Sequence, residues 1–135
     1  MVIECVFQYI LNEITEYNSN SATLRAVNCK FLPPDAPDNT AVLMQLNNVD
    51  MDYTGGVNEG DFIFRSRNVN YNSGIKIAKD VLSLFAGQSK ITLPIVKGKR
   101  YLVFSCPFHQ LTQLPADDKN RFIFESRFNL RYEEI

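Results

Sequence analysis

The feature that most constrains the fold of this 135-residue chain is the alternation of its residues from Arg121 to Tyr132. Successive side chains of an extended strand point to opposite faces of a sheet, so the run separates a core face from a polar face. The core-facing set is Phe122, Phe124, Ser126, Phe128, Leu130 and Tyr132. The other set is Arg121, Ile123, Glu125, Arg127, Asn129 and Arg131. The sequence therefore predicts a long strand that is buried on one side.

A second segment uses nearly the same residues, because F-I-F-R-S-R at 62–67 differs from F-I-F-E-S-R at 122–127 by one letter. The residues that follow the two phrases diverge at once, which is unlike an internal repeat. We interpret the phrases as two strands with the same packing role. If the strands are antiparallel neighbours, Arg65 faces Glu125 in a cross-strand ion pair that contributes about 0.2–1 kcal/mol.

Two segments show the three-and-four spacing of apolar residues that is typical of an amphipathic helix. The first runs from Val2 to Tyr17 and is ended by N-S-N-S at 18–21, whose side chains favour turns. The second runs from Tyr71 to Phe85, with Asn70 or Asn72 as a possible N-cap and Gly87 just beyond its end. Both helices are expected to pack on one face of a sheet.

The remaining segments are predicted strands and loops. Strands are expected at 24–32, 41–46, 61–67, 91–96 and 100–106, the last two on either side of a K-G-K turn. Loops are expected at 33–39, which holds three prolines, at 47–60, and at 107–120. Because most strands are joined by turns and not by helical crossovers, we predict a single α+β domain over 1–135 with a mostly antiparallel sheet.

Charge and the N-terminal sequence narrow the class of protein. The formal charge is −1, so a broad basic surface that binds nucleic acid is not expected. The N-terminus has Glu4 and Glu13 and no long apolar run, so neither a signal peptide nor a membrane span is predicted, and we expect a cytosolic protein.

The cysteines do not form a recognisable disulfide or metal motif. Cys5, Cys29 and Cys106 are an odd number and include no C-x-x-C pair, so we interpret them as buried free thiols. The alternative is a catalytic thiol at Cys106, since His109, the one histidine, lies three positions later. Neither a metal nor a cofactor is expected, because no nucleotide-binding, zinc-protease or nucleophile-elbow motif occurs.

Two further sets of charged residues have a functional and a structural interpretation. Asp117 and Asp118 could serve acid or base chemistry if one were desolvated, but adjacent acids in a loop are more often a solvated turn. The arginines could line a phosphate channel, yet acidic residues lie between them, which favours a mixed solvated or intersubunit face. These arginines are Arg65, Arg67, Arg121, Arg127 and Arg131.

Two longer passages carry a resemblance to a known family. The first is F-I-F-R-S-R-N-V-N-Y-N-S-G-I-K-I-A-K-D-V-L-S-L-F at 62–85, and the second is L-P-A-D-D-K-N-R-F-I-F-E-S-R-F-N-L-R-Y at 114–132. Their order of strand, helix, acidic arm and closing aromatic strand resembles that of the tail terminator, or tail completion, proteins of long-tailed bacteriophages. The N-terminal helix, the proline-rich loop and the central G-G occupy corresponding places.

The resemblance implies a structural role without catalysis. Proteins of this family form a hexameric ring on the head-proximal end of the tail tube, stop its growth and join the tail to the head. It implies as partners other copies of the chain, the tube protein and a head connector, with DNA only passing through the lumen and no membrane. The expected location is the virion, after assembly in the host cytoplasm.

The residues that this role assigns fall into two groups. Ring or lumen contacts are expected at Arg65, Arg67, Arg127 and Arg131. Docking loops are expected to present Asp52, Tyr53, Gly55, Gly56, Asp117, Asp118 and Arg121. Two other classes remain open: a head completion or neck connector protein, and a small cytosolic ligand-binding or enzymatic α+β domain with a pocket.

Overall fold

The computed structural model describes residues 2–14, 26–29, 39–52 and 57–135, with only the backbone described at 26–29 and 47–52. Its helices are α1 (Val2–Glu13) and α2 (Tyr71–Phe85). Its strands are β1 (Ala26–Cys29), β2 (Thr40–Asp52), β3 (Asn58–Asn68), β4 (Ile91–Thr92), β5 (Tyr101–Leu114) and β6 (Phe122–Glu134).

The strands form one sheet in the order β1-β2-β3-β6-β5-β4. The β1–β2 pair is parallel and the other pairs are antiparallel. The predicted α+β class with a mostly antiparallel sheet is therefore confirmed.

The centre of the sheet is built from the two similar phrases, which lie on the neighbouring strands β3 and β6. Phe62 faces Phe128, and Phe64 and Ser66 face Ser126 and Phe124. An aromatic ring thus lies opposite a serine in two of the three rungs, which leaves room for helix atoms above the small residues. The interpretation of the phrases as two strands with one packing role is confirmed.

Both helices cover the face of the sheet that carries these phenylalanines. Ser126 Oγ donates a 2.8 Å hydrogen bond to the carbonyl oxygen of Ala78 in α2. The ring of Phe85, also in α2, stacks on Phe128 with centroids 4.7 Å apart. Tyr9 of α1 lies 5.6 Å from Phe85, ring centroid to ring centroid. One hydrophobic cluster consequently joins both helices to the sheet.

The sequence signals at the ends of α2 have the expected roles. The side chain of Asn70 accepts a 3.1 Å hydrogen bond from Ser73 N, which satisfies one of the free donors of the first turn. Gly87 has a φ of +76°, the left-handed conformation that commonly follows the last turn of a helix. The prediction of this helix is confirmed at both ends.

α1 is shorter than predicted in the described part of the chain. It ends at Glu13, and the predicted continuation at 15–17 lies outside the described residues. The strand predicted at 24–32 is described only as β1, and most of the proline-rich loop also lies outside.

Two predicted loops are largely strand, which corrects the expectation at 47–60 and 107–120. β2 continues to Asp52 and β3 begins at Asn58, with a register irregularity between Leu46 and Met51. β5 continues through Pro107 to Leu114. Proline is tolerated there because the register of β5 against β6 shifts on both sides of Ser105, and a bulge leaves a residue without a ladder partner.

The predicted strand at 91–96 is reduced to the two residues of β4. Its connection to β5 is a tight turn in which Val96 and Lys99 exchange backbone hydrogen bonds of 3.2 and 3.0 Å. Lys97 and Gly98 both have positive φ, which is the conformation of a type I′ turn. The K-G-K turn is therefore present, but the strand before it is short.

The contact between α2 and β6 predicts an unusual response to a helix-favouring substitution. A Cβ atom added at Gly74 would lie 2.9 Å from a ring carbon of Phe124, whose ring also packs against Tyr71. Alanine would gain about 1 kcal/mol of helix propensity, whereas overpacking costs roughly 1–3 kcal/mol. We expect Gly74→Ala to lower the free energy of unfolding by about 1 kcal/mol in chemical denaturation.

The matched control is Ser83→Ala on the exposed side of the same helix, which should change stability by no more than about 0.5 kcal/mol. A Gly74→Ala protein as stable as the parent would show that the helix does not approach β6 this closely.

Candidate interaction surface

The face of the sheet that points away from the helices is rich in polar side chains from the central strands. We call it the polar face. On β3 and β6 it comprises Glu59, Asp61, Ile63, Arg65, Arg67, Ile123, Glu125, Arg127, Asn129 and Arg131. Its composition follows from the alternation of the two strands, because each residue between two core-facing residues must point to the opposite side.

Arg65 and Glu125 form the ion pair that the sequence predicts. They are directly opposite each other in the register, and Arg65 Nη2 lies 2.8 Å from Glu125 Oε2. Arg65 Nε donates a second hydrogen bond, of 3.2 Å, to the same oxygen. The side chains are 35% and 16% exposed, so solvent screens the pair only in part. The prediction of a cross-strand pair is confirmed.

Other rungs of the polar face also place complementary groups opposite each other. Asn129 Nδ2 donates a 2.8 Å hydrogen bond to Asp61 Oδ1. One rung further, Glu59 lies opposite Arg131 in the register. The polar face is therefore locally balanced in charge and does not present a continuous basic surface.

The four predicted contact arginines differ in their accessibility. Arg127 and Arg131 are exposed, and Arg65 is half-buried in its ion pair. Arg67 is only 3% exposed, so its guanidinium group is part of the interior. Arg127 and Arg131 are thus the two arginines of this set that a partner could reach without rearrangement.

The alternation at 61–67 predicts that Asp61, Ile63, Arg65 and Arg67 of β3 face water, and this expectation is wrong for Ile63 and Arg67, which are buried. Val42 of β2 is buried and lies opposite Arg65, and Met44 lies opposite the buried Ile63. Because β2 contributes apolar residues to this face, the neighbouring part of β3 is removed from water as well. The accessible part of the polar face is centred on β6.

The connection between β5 and β6 is organised by Asp117. Its Oδ1 accepts hydrogen bonds from the backbone N–H groups of Lys119 and Arg121, at 3.1 and 2.9 Å. Its Oδ2 lies 2.8 Å from Arg121 Nε, and the Arg121 side chain is 5% exposed. Desolvation alone would raise the pKa of Asp117, but the hydrogen bonds from Arg121 and Lys119 outweigh it and lower the pKa.

The two adjacent acids of this connection are not a pair. Asp117 is held by Arg121, whereas Asp118 is exposed. The arrangement matches the interpretation of a turn that leads into a strand, with Arg121 buried as its structural partner. Of the residues predicted to dock a partner here, Asp118 is the accessible one.

The other predicted docking loop is described only at its border. Asp52 is the last residue of β2, and its backbone is in register with Asn58. Tyr53, Gly55 and Gly56 lie outside the described residues. Their docking role stays a prediction.

Cys5 and Cys106, the two cysteines whose side chains the structure describes, have surroundings that do not favour a nucleophile. Cys5 is buried, and burial raises its pKa. Cys106 is only partly buried, which corrects the expectation of a buried thiol; its Sγ donates to the carbonyl oxygen of Phe108 at 3.3 Å, and partial burial raises its pKa. A reactive cysteine needs a lowered pKa, so the alternative of a Cys106–His109 pair gains no support. Within the described ranges, no three His, Cys, Asp or Glu side chains are placed to hold a metal ion.

The sequence interpretation missed the distal half of β5 as part of this surface. Phe108, Gln110, Thr112 and Leu114 lie on the polar face beside β6. A signal was present, because the stretch between Pro107 and Pro115 contains no Gly, Asp or Asn that would favour a loop.

Neither helix of the described part of the chain has the length and hydrophobicity that a membrane span requires.

Comparison with known proteins gives a likeness in fold. No protein-family profile and no curated protein sequence matches the chain. Among solved structures, a chain from the virion of a native gene transfer agent particle aligns with a TM-score of 0.63 and 14% identity, over 93% of this chain and 92% of its own. A second structure aligns with a TM-score of 0.54 and 12% identity, over 98% and 94%. At these identities the comparisons show a common fold.

The ion pair on the polar face predicts the outcome of a charge exchange. Arg65→Glu or Glu125→Arg alone places like charges opposite each other and should lower the free energy of unfolding by roughly 1 kcal/mol. The double variant restores an opposite pair and should recover most of that loss, as measured by a double-mutant cycle in urea. A double variant as unstable as the sum of the singles would contradict the pairing.

The position of Asp117 predicts a pH-dependent effect. Because its pKa is lower in the folded state, the carboxylate stabilises the fold above its unfolded pKa of about 3.9, and this stabilisation is lost as the pH falls through the folded pKa. Asp117→Asn should therefore be less stable than the parent by about 1–2 kcal/mol at neutral pH, and the difference should shrink as the pH falls through the lowered pKa of Asp117 in the folded state.

Thermal unfolding across this pH range would measure the difference, with the exposed Asp118→Asn as the control that changes little. A stability gap for Asp117→Asn that is the same at neutral and acidic pH would contradict the role given to the carboxylate.

Proposed function

We propose that this protein is a structural subunit of a phage-like virion that forms a ring on the head-proximal end of a tail tube. The observation that carries the proposal is the likeness in fold, over 93% of the chain, to a protein from the virion of a gene transfer agent particle. The resemblance of 62–85 and 114–132 to tail terminator proteins narrows the role to the end of the tail.

The distribution of polar groups is compatible with a surface made for contacts and not for a reaction. Arg65 and Glu125 form an ion pair, and Asn129 donates a hydrogen bond to Asp61. Groups paired in this way are held in fixed positions. A rigid sheet with fixed charges offers instead a template for a protein partner.

The same charge balance suits a ring through which DNA passes. A lumen with a continuous basic lining would bind the phosphate backbone and slow its movement. On the polar face each accessible arginine has an acid nearby in the register: Arg131 lies opposite Glu59, and Arg127 is two residues from Glu125 on the same strand. If this face lines the lumen, it attracts passing DNA only weakly.

Termination requires two unlike sides. The side that meets the tube must complement the last tube ring, and the opposite side must not accept another tube subunit, so that growth stops. We assign Arg127 and Arg131 to contacts within the ring or to its lumen. The loops around Asp52 and Asp118, at opposite ends of β3 and β6, are assigned to the tube and to the head connector.

The test uses a phage-like particle whose tails are made without this protein. Tails purified from such a deletion should have tubes of irregular length and should not join heads, and adding the protein should restore joining. Arg127→Glu with Arg131→Glu should abolish the rescue. The control, Lys79→Glu with Lys90→Glu, makes the same charge change at exposed positions outside the sheet and should rescue like the parent.

Tubes of normal length that lack only the joint to the head would favour a neck connector over a terminator. Tails that join heads normally without the protein would contradict the proposal.

A further inference from the structure

In the part of the chain that the structure describes, the outer edge of β5 has no neighbouring strand over its distal half. On the side away from β6, β4 pairs only with Leu102 and Val103. Across the described ranges, no strand pairs with 105–114 on this side. Such an edge presents a row of backbone N–H and C=O groups to which another strand can add.

The charged side chains of this sheet lie on its central strands and not on the edge strand β5, which is the opposite of the pattern that usually protects a sheet edge from association. Edge strands are commonly protected from association by charged side chains, above all lysine. Here β5 contains no Lys, Arg, Asp or Glu, and neither does β1 at the opposite edge. The charged residues of the two strands at the centre of the sheet, β3 and β6, are Glu59, Asp61, Arg65, Arg67, Glu125, Arg127, Arg131, Glu133 and Glu134.

The accessible part of the β5 edge is the regular segment 108–114. Pro107 and the two register shifts interrupt the strand before it, and Pro115 follows it. Between them every residue from Phe108 to Leu114 is in continuous register with β6. Phe108 is 45% exposed, and an exposed aromatic ring on an uncharged edge is a liability unless a partner covers it.

We propose that the 108–114 edge pairs with the β1 edge of a second copy of this chain, so that the sheet continues from one subunit to the next. The inference rests on the proposed ring and assigns the contact that builds it. The partner is another copy because the described sheet carries both halves of the joint: β5 at one edge and Ala26–Cys29 of β1 at the other, neither with a Lys, Arg, Asp or Glu.

The topology explains why this contact would give a ring. The two edges are on opposite sides of the sheet, so pairing them is a head-to-tail contact that leaves a free edge on each new copy until the assembly closes. Pairing of β5 with β5 would be symmetric and would stop at a dimer. The burial of Phe108 between strands would add to the backbone hydrogen bonds.

The test combines a lysine pair on the edge with a matched pair elsewhere. Gln110→Lys with Gln113→Lys places charge on both faces of the exposed edge, and Gln88→Lys with Ser89→Lys adds the same charge at exposed positions after α2. Sedimentation velocity over a concentration series should show closed oligomers for the parent and the control. The edge variant should associate at least about tenfold more weakly while keeping the parent's circular dichroism and thermal midpoint.

Hydrogen exchange read by mass spectrometry identifies the paired strands. On assembly of the parent, amides in both 26–29 and 108–114 should exchange more slowly. Protection at 108–114 alone, with growth that stops at a dimer, would overturn the head-to-tail contact. A parent that stays monomeric, or an edge variant that assembles like the parent, would overturn the inference altogether.

These outcomes are separable from failure of the proposed function. A parent that forms the ring through these edges but does not restore joining of deletion tails to heads would contradict the tail role and leave the edge contact intact. Tails rescued equally by the parent and by the edge variant would contradict the edge contact and leave the tail role intact.

Discussion

The pairing of β3 with β6 is the contact on which the rest of the structure depends. The two strands are in register over eleven consecutive pairs, from Asn58–Tyr132 to Asn68–Phe122. This register directs the phenylalanines to the helices and Arg65 and Glu125 to the polar face. A slip by one residue would exchange the two faces, burying charges and exposing aromatic rings. Core and polar face are thus fixed by the same hydrogen-bond ladder.

Local signals in the sequence were sufficient to predict those helices and strands whose pattern is complete within one segment. α2 could be predicted to the residue because its apolar spacing, its Asn70 cap and its terminal Gly87 agree. The Arg65–Glu125 pair followed from the alternation and an assumed antiparallel pairing. The extension of β5 through Pro107 could not be predicted, because it depends on bulges against β6. The burial of Arg67 could not be predicted either. It depends on neighbouring chain segments, which the alternation of residues along β3 does not reveal.

The sheet has two kinds of surface, the polar face and the edges, and the proposed ring uses both. The polar face carries charges that neutralise each other, which suits a surface that positions partners or faces a passing polyanion. The described edge strands β1 and β5 contain no Lys, Arg, Asp or Glu, which suits backbone pairing with another copy. The helices cover the face of the sheet opposite the polar face. The chain therefore has the asymmetry that a subunit of a closed ring requires: a side facing inward, a side facing outward, and two unlike edges.

The most direct test of this account is a reconstruction by electron cryomicroscopy of the particle that contains the protein. The account predicts a ring of this fold between the tail tube and the head, with the polar face toward the lumen and strands β5 and β1 of adjacent copies in one sheet. Absence of the protein from the particle, or its presence as isolated subunits away from the tail end, would contradict the account.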